Sequence, residues 1–121
     1  MYKFLLPLRT LLCYNSLLMR IIKLKHLRDF WTTHTESEVG LRRWAVECSA
    51  AQWKSIADVK AYARSVDYVG NNRFVFNISG NKYRLVVAIH FPTGIVLIKF
   101  VGTHAEYDKV DVQTIEIGDV L

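Results

Sequence analysis

The side chains with the most usable chemistry lie close together near the end of the chain, between Thr103 and Lys109. His104 is followed within one helical turn by Tyr107 and Asp108. A histidine close to its ordinary pKa can accept or donate a proton at neutral pH. The pattern therefore indicates acid–base catalysis. A histidine that ends a strand or caps a turn would leave the same pattern, and the residues alone keep both interpretations open.

Two cations, Lys82 and Arg84, alternate with Tyr83 and Leu85 at the start of an apolar run. In a strand this alternation points both cations to the same face. Two cations on one face can hold a phosphate and offset the charge that builds up when a phosphodiester reacts. The alternative is a solvated sheet face with cross-strand salt bridges.

The elements that must position these residues follow from the spacing of apolar side chains. The run from Arg20 to Leu24 predicts a first strand, and apolar residues at helical spacing from Lys25 predict a helix. Ser37 is expected to be the N-cap of a second helix, which forms a hairpin with the first, and a third helix is expected after Ser55.

The second half of the chain has strand periodicity. Alternation over Arg73–Ile78 predicts one strand, and short turns separate it from strands over Tyr83–Phe91 and Ile95–Val101. A last strand is expected around Val112 to Ile117. The fold class is therefore α+β, with an N-terminal strand and a helical hairpin packed on a C-terminal antiparallel sheet.

Composition limits the function classes. The chain has 121 residues and a formal net charge of +5, which is typical of one domain with a mild preference for polyanions such as nucleic acid. Its cysteines, Cys13 and Cys48, match no zinc or disulfide pattern. Gly-rich phosphate loops and the zinc-protease and serine-esterase motifs are absent from the sequence. A reducing cytoplasm, with no metal and no cofactor, is the expectation.

The first residues differ from the rest in composition. Residues 1–18 are leucine-rich, contain Lys3 and Arg9 and no acid, and are interrupted by Pro7. We expect them to lie upstream of the true start, with a single domain over 19–121 opening at Met19. A signal peptide is the alternative, and the segment is too short to span a bilayer.

Two motifs together resemble the HigB-type toxins of the RelE superfamily. The first runs from Gly80 to Val86 and the second from Gly102 to Lys109. The resemblance extends from Met19 to about Ile117. Similar upstream stretches are Arg20–Ile22, Leu27–Trp31, Ala51–Lys54, Val69–Asn72 and Val75–Ile78.

The resemblance implies an mRNA interferase, an endoribonuclease that cleaves mRNA on the translating ribosome and is neutralised by an antitoxin. The antitoxin is expected to be a helix-turn-helix protein, and no membrane is involved. Cleavage is expected to proceed by metal-independent attack of the ribose 2′-hydroxyl. The alternative is a non-catalytic, basic RNA- or protein-binding module. The expected catalytic residues are His104, Arg84, Tyr107, Lys82 and Asp108, and the expected RNA-binding residues are Lys109, Asn81, Asn77 and Lys54.

Overall fold

The structure is a computed structural model that describes residues 19–117. The expectations for residues 1–18 and for the last four residues of the domain lie outside the described residues. The elements along the chain are β1 (Arg20–Ile22), α1 (Lys25–Thr33), a 3₁₀ turn (Thr35–Ser37), α2 (Glu38–Ser49), α3 (Ile56–Tyr62), β2 (Asp67–Gly70), β3 (Arg73–Ile78), β4 (Tyr83–His90), β5 (Ile95–Thr103) and α4 (His104–Tyr107).

The strands form one 5-stranded sheet in the order β1-β5-β4-β3-β2. Strands β2 to β5 pair antiparallel with their neighbours, whereas β1 pairs parallel with β5. The α+β class is therefore right, but the sheet is mixed, and β1 is one of its edge strands rather than part of the layer packed on it. Parallel pairing requires a long connection, and the chain between β1 and β5 includes all the longer helices.

The helical layer differs from the prediction at one cap. Helices α1 and α2 contact each other as the predicted hairpin. Ser37 occupies the predicted N-cap position of α2, but its side chain makes no capping bond, and its hydroxyl donates to the carbonyl of His34 at 2.7 Å instead. Ser37 is the last residue of the 3₁₀ turn and has helical backbone angles, whereas a residue that caps a helix with its side chain usually has an extended backbone. Ser55 is extended and does cap α3, accepting from the N–H of Asp58.

The inner face of the sheet carries the main core. Alternate residues of β3 and β4, such as Phe74, Phe76 and Leu85, are buried against Leu41 and Trp44 of the helical layer. Burial of several large apolar side chains supplies most of the driving force for folding. The predicted strand periodicity over β3 and β4 is thus confirmed.

The outer face carries a second, smaller cluster of Val75, Val86, Phe100 and Ile115. Ile115 belongs to residues 110–117, which we call the C-terminal strap. This segment was expected to include a strand, but it forms turns, so that prediction is wrong. Its apolar residues cover the outer face instead of entering the ladder.

Charged side chains fasten the strap to the sheet. The buried guanidinium of Arg73 donates to the carbonyls of Val112 (3.2 Å) and Ile115 (2.5 Å) and to the carboxylate of Glu116 (3.0 Å). Lys99 donates to the same carboxylate at 2.8 Å. A buried guanidinium needs such partners, because an unpaired buried charge is strongly destabilising. The strap therefore covers one end of the outer face and leaves the other end open.

We expect Glu116→Gln to lower the free energy of unfolding at pH 7 by about 1 kcal/mol, because Arg73, which is 5% exposed, loses its counter-charge. The half-exposed carboxylate keeps the loss small. Lys99, and then Arg73, hold the pKa of Glu116 below its ordinary value of 4.5. Its contribution is therefore present above pH 4.5 and is lost as the pH falls through the depressed pKa.

Urea unfolding of the parent and of Glu116→Gln, at pH 7 and at lower pH, measures both effects. The matched control is Asp29→Asn, because Asp29 makes an exposed i,i+4 pair with Lys25 that should contribute little. Equal stability of parent and Glu116→Gln at every pH would contradict this role of the carboxylate.

Candidate functional site

The open end of the outer face is defined by one row of residues across three strands. Arg84 of β4 lies opposite Asn77 of β3 on one side and opposite Gly102 of β5 on the other. Cross-strand partners share a face of the sheet. The row next to it is Val75, Val86 and Phe100, which the strap covers. Asn77 and Arg84 therefore stand where the apolar outer cluster ends.

Gly102 allows a helix to approach this row closely. A Cβ atom on Gly102 would lie 2.5 Å from Cζ of Phe100 and 2.8 Å from Oε1 of Glu106. Any larger residue would thus displace the Phe100 ring and the Glu106 carboxylate, which caps α4. The glycine is required for close packing, which the sequence motif alone did not reveal.

Helix α4 is held over the end of β5 by a capping box. The hydroxyl of Thr103 accepts from the N–H of Glu106 at 3.1 Å, and Oε1 of Glu106 accepts from the N–H of Thr103 at 2.8 Å. The N–H of His104 also donates to the carbonyl of Lys82 at 3.0 Å. These bonds fix a single helical turn that would not be stable alone.

Arg84 is partly buried, and the turn that precedes β4 holds its side chain. Its Nη1 donates to the carbonyl of Asn81 at 3.0 Å and, more weakly, to that of Tyr83 at 3.3 Å. It makes no ion pair with a carboxylate within residues 19–117. A guanidinium that is held by backbone carbonyls and has no carboxylate partner can bind an anion such as phosphate.

Tyr107 lies among the charged groups of this end of the sheet. Burial raises the pKa of its phenol, as do the carboxylates of Asp67 and Asp108, while the positive charge of Arg84 acts in the opposite direction. Its ring packs against Phe100 at 6.4 Å between centroids. The phenol therefore stays protonated at neutral pH and can donate a hydrogen bond or a proton.

Asp67 was not among the predicted site residues. It pairs with Val75 across the β2–β3 ladder, so it belongs to the outer face. The four residues of β2 show no clear alternation of apolar and polar side chains, and this strand was not predicted at all. The Asn71-Asn72 pair is the sequence signal that could have identified the hairpin of β2 and β3. Both asparagines have positive φ and form its tight turn.

His104, the first residue of α4, and Asp108, which follows this helix, contact each other as their spacing suggested. Nδ1 of His104 lies 3.3 Å from Oδ2 of Asp108, and the side chains are 52% and 60% exposed. The contact leaves Nε2 of His104 without a protein partner among the residues described. An imidazole held in this way can exchange a proton with a bound molecule.

Lys82 does not share the face of Arg84. Its ammonium group pairs with Glu36 of the 3₁₀ turn at 2.7 Å, on the side of the helical layer. The predicted pair of cations on one face is therefore wrong. Lys82 lies in the turn before β4 begins at Tyr83, so the alternation of a strand does not extend to it.

The predicted RNA-binding residues are only partly brought together. Asn77 stands in the row with Arg84, and Asn81 holds Arg84 through its carbonyl. Lys109 is exposed just after α4. Lys54 precedes α3 in the helical layer, where its N–H donates to Asp58, and it is not brought to the open end of the outer face.

A comparison with protein families finds one match at residues 37–110, to the HigB toxin model, described as the RelE-like toxic component of a toxin-antitoxin system. The chain belongs to this HigB toxin family. The matched range includes the row of Asn77, Arg84 and Gly102 and all of α4, whereas β1, α1 and most of the strap lie outside it. No curated protein matches the chain.

Membership of the HigB family implies an antitoxin as partner. Residues 19–117 of this HigB-family domain contain no helix that is long and apolar enough to cross a membrane. They also contain no group of three or more His, Cys, Asp or Glu side chains arranged to hold a metal ion.

We expect Thr103→Ala to loosen α4, because the substitution removes the oxygen that accepts the N–H of Glu106. The loss of an N-cap costs about 1 kcal/mol. Amide hydrogen exchange at His104–Tyr107 should become faster. The control is Ser55→Ala, which removes the corresponding cap of α3 and should leave exchange in α4 as it is in the parent. Unchanged exchange in α4 of Thr103→Ala would show that the strap and the sheet alone hold this helix.

Proposed function

We propose that this HigB-family chain is an endoribonuclease that cleaves mRNA on the translating ribosome. One observation carries the proposal. Arg84, a guanidinium without a carboxylate partner in the described residues, lies near the phenol of Tyr107, and the helix that carries Tyr107 begins at His104, whose imidazole contacts the carboxylate of Asp108. These are the groups that phosphodiester cleavage by a ribose hydroxyl requires. The membership in a RelE-like toxin family supports it, since such toxins are generally ribonucleases.

In the proposed mechanism Arg84 binds the scissile phosphate. Its guanidinium can donate two hydrogen bonds to two phosphate oxygens. The charge on those oxygens increases as the fifth bond to phosphorus forms, so the guanidinium stabilises the transition state more than the substrate. Asn77, beside it in the same row, is the neighbouring group for an RNA oxygen or base edge.

The two proton transfers are assigned to His104 and Tyr107. Nε2 of His104 takes the proton of the 2′-hydroxyl, whose oxygen attacks the phosphorus, while the Asp108 carboxylate on Nδ1 stabilises the resulting imidazolium. The phenol of Tyr107 gives its proton to the departing 5′-oxygen. The products are a 2′,3′-cyclic phosphate and a 5′-hydroxyl, and the proton returns from the imidazolium to the phenolate through solvent.

We propose that the ribosome holds the mRNA substrate in place for this domain. The imidazole and carboxylate of the candidate site are more than half exposed, so the domain encloses little of an RNA strand by itself. A second surface that holds the strand would supply the orientation that the open site lacks. The net charge of +5 favours approach to ribosomal RNA. The cytoplasm, where ribosomes translate mRNA, is the proposed location, and the antitoxin is proposed to be a helix-turn-helix protein.

His104→Ala should lower cleavage of translated mRNA by about 10²–10⁴-fold, the usual contribution of a positioned acid–base group. The measurement is primer extension on mRNA from an in vitro translation reaction. The control is His90→Ala, since His90 is exposed at the other end of β4 and, among the described residues, its side chain bonds to Thr93 alone. Cleavage at the parent rate by His104→Ala would contradict the proton-transfer role. RNA binding without cleavage by the parent would favour the non-catalytic module.

Arg84→Ala should lower the cleavage rate by about 10²–10³-fold with little change in stability, because the side chain is only partly buried. Arg84→Lys should restore part of the rate, since an ammonium group keeps the charge but not the paired donors. Arg28→Ala is the control for a lost positive charge on the helical layer, where Arg28 is exposed. Equal losses in Arg84→Ala and Arg28→Ala would mean that only net charge matters.

A further inference from the structure

Strand β3 has an open edge beyond the point where β2 ends. The β2–β3 ladder stops at the pair of Asp67 and Val75, whereas β3 continues to Ile78. On that side, Phe76–Ile78 have no partner strand within residues 19–117. Open edges present backbone N–H and C=O groups that can bind another extended chain, and natural proteins usually cover or charge them.

A groove runs along this open edge, between β3 and the helices. Its volume is about 440 Å³, and residues of α2, the end of α3 and the β3–β4 turn line it. Val39 of α2 forms an apolar part of its rim and is 70% exposed. Phe76 and Trp44 form its apolar floor.

The groove also contains polar groups that the domain itself does not use. The indole N–H of Trp44 is buried and has no acceptor in the described part of the chain. Arg43 makes no ion pair within the same residues, and the carboxylate of the neighbouring Glu47 accepts from the hydroxyl of Tyr62 at 2.6 Å. A cation without an ion pair next to an open strand edge fits an extended peptide that carries an acidic side chain.

We propose that an extended segment of the antitoxin binds in this groove and adds a strand to β3 at Phe76–Ile78. Its backbone pairs with the open edge, an apolar side chain packs on Val39, and an acidic side chain pairs with Arg43. Strand addition is a common mode of peptide recognition, in which backbone bonds provide affinity and pockets provide specificity. RNA fits less well, because the rings of Trp44 and Phe76 are buried and present no face on which a base could stack.

The groove is continuous with the candidate site. Asn77 lines the groove and also stands beside Arg84 in the row on the outer face. A strand added at this edge would therefore cover Asn77 and restrict the approach of RNA to Arg84. This competition rests on the proposed RNA cleavage, whereas the docking itself does not.

The test uses the antitoxin encoded with this chain as the probe, with calorimetric titration against variants of the full-length protein. Val39→Glu and Arg43→Glu should each weaken binding by at least about tenfold, a change that corresponds to a loss of about 1.4 kcal/mol. The matched control is Val46→Glu, since Val46 is also on α2, is 67% exposed and does not line this groove. It should bind as the parent does.

Amide hydrogen exchange supplies a second measurement that does not depend on the variants. Antitoxin should protect the amides of residues 76–78, and short peptides that tile the antitoxin should identify one segment that does the same. Parent-like binding by both Val39→Glu and Arg43→Glu, without protection of 76–78, would overturn the proposal. Protection of those amides by a short RNA but not by antitoxin would also overturn it, in favour of RNA. If the parent protein does not cleave mRNA, only the proposed function is refuted, and the proposed binding of the antitoxin is not affected.

Discussion

Burial of the central strand β4 on both faces of the sheet is the constraint on which the rest of the structure depends. One face packs on the helices, and the outer face of its middle is covered by Phe100 and the C-terminal strap. The strap reaches only one end, where the charges of Arg73, Glu116 and Lys99 fasten it. The other end remains open, so Arg84 can combine a rigid strand position with access to solvent. A rigid scaffold with one uncovered end is how a small domain can hold reactive groups in fixed geometry.

The electrostatics of the open end follow from the same architecture. Tyr107 is partly covered by the outer cluster and lies close to carboxylates, and both effects raise the pKa of its phenol. The imidazole of His104 stands farther out, on a helix that the capping box of Thr103 and Glu106 holds in place. An imidazole and a phenol thus occupy different environments within a single turn of chain, and such a difference is what would allow one to act as base and the other as acid in the proposed cleavage.

Much of this fold could be predicted because its strands obey simple periodicity. Phe74, Phe76 and Ile78 alternate with polar or smaller residues, and the same rule located β4 and β5. The rule failed for segments that do not pair with a neighbouring strand on both sides. The short edge strand β2 lacks alternation, and the strap has apolar residues that cover a face without pairing. Lys82 was assigned to the wrong face because it lies in a turn, where the alternation of a strand does not hold.

The sequence by itself determined the chemistry that is available: the reactive residue types, the strand that carries Arg84, the turn that follows β5, and the family to which these motifs belong. Only the tertiary structure decided which of those residues meet. Asp67 reached the outer face through strand pairing, Lys82 was drawn to Glu36, and Lys54 stayed with the helices. The reason is physical. Local periodicity depends on neighbours in the chain, whereas register, edge pairing and ion pairs depend on residues far away in sequence.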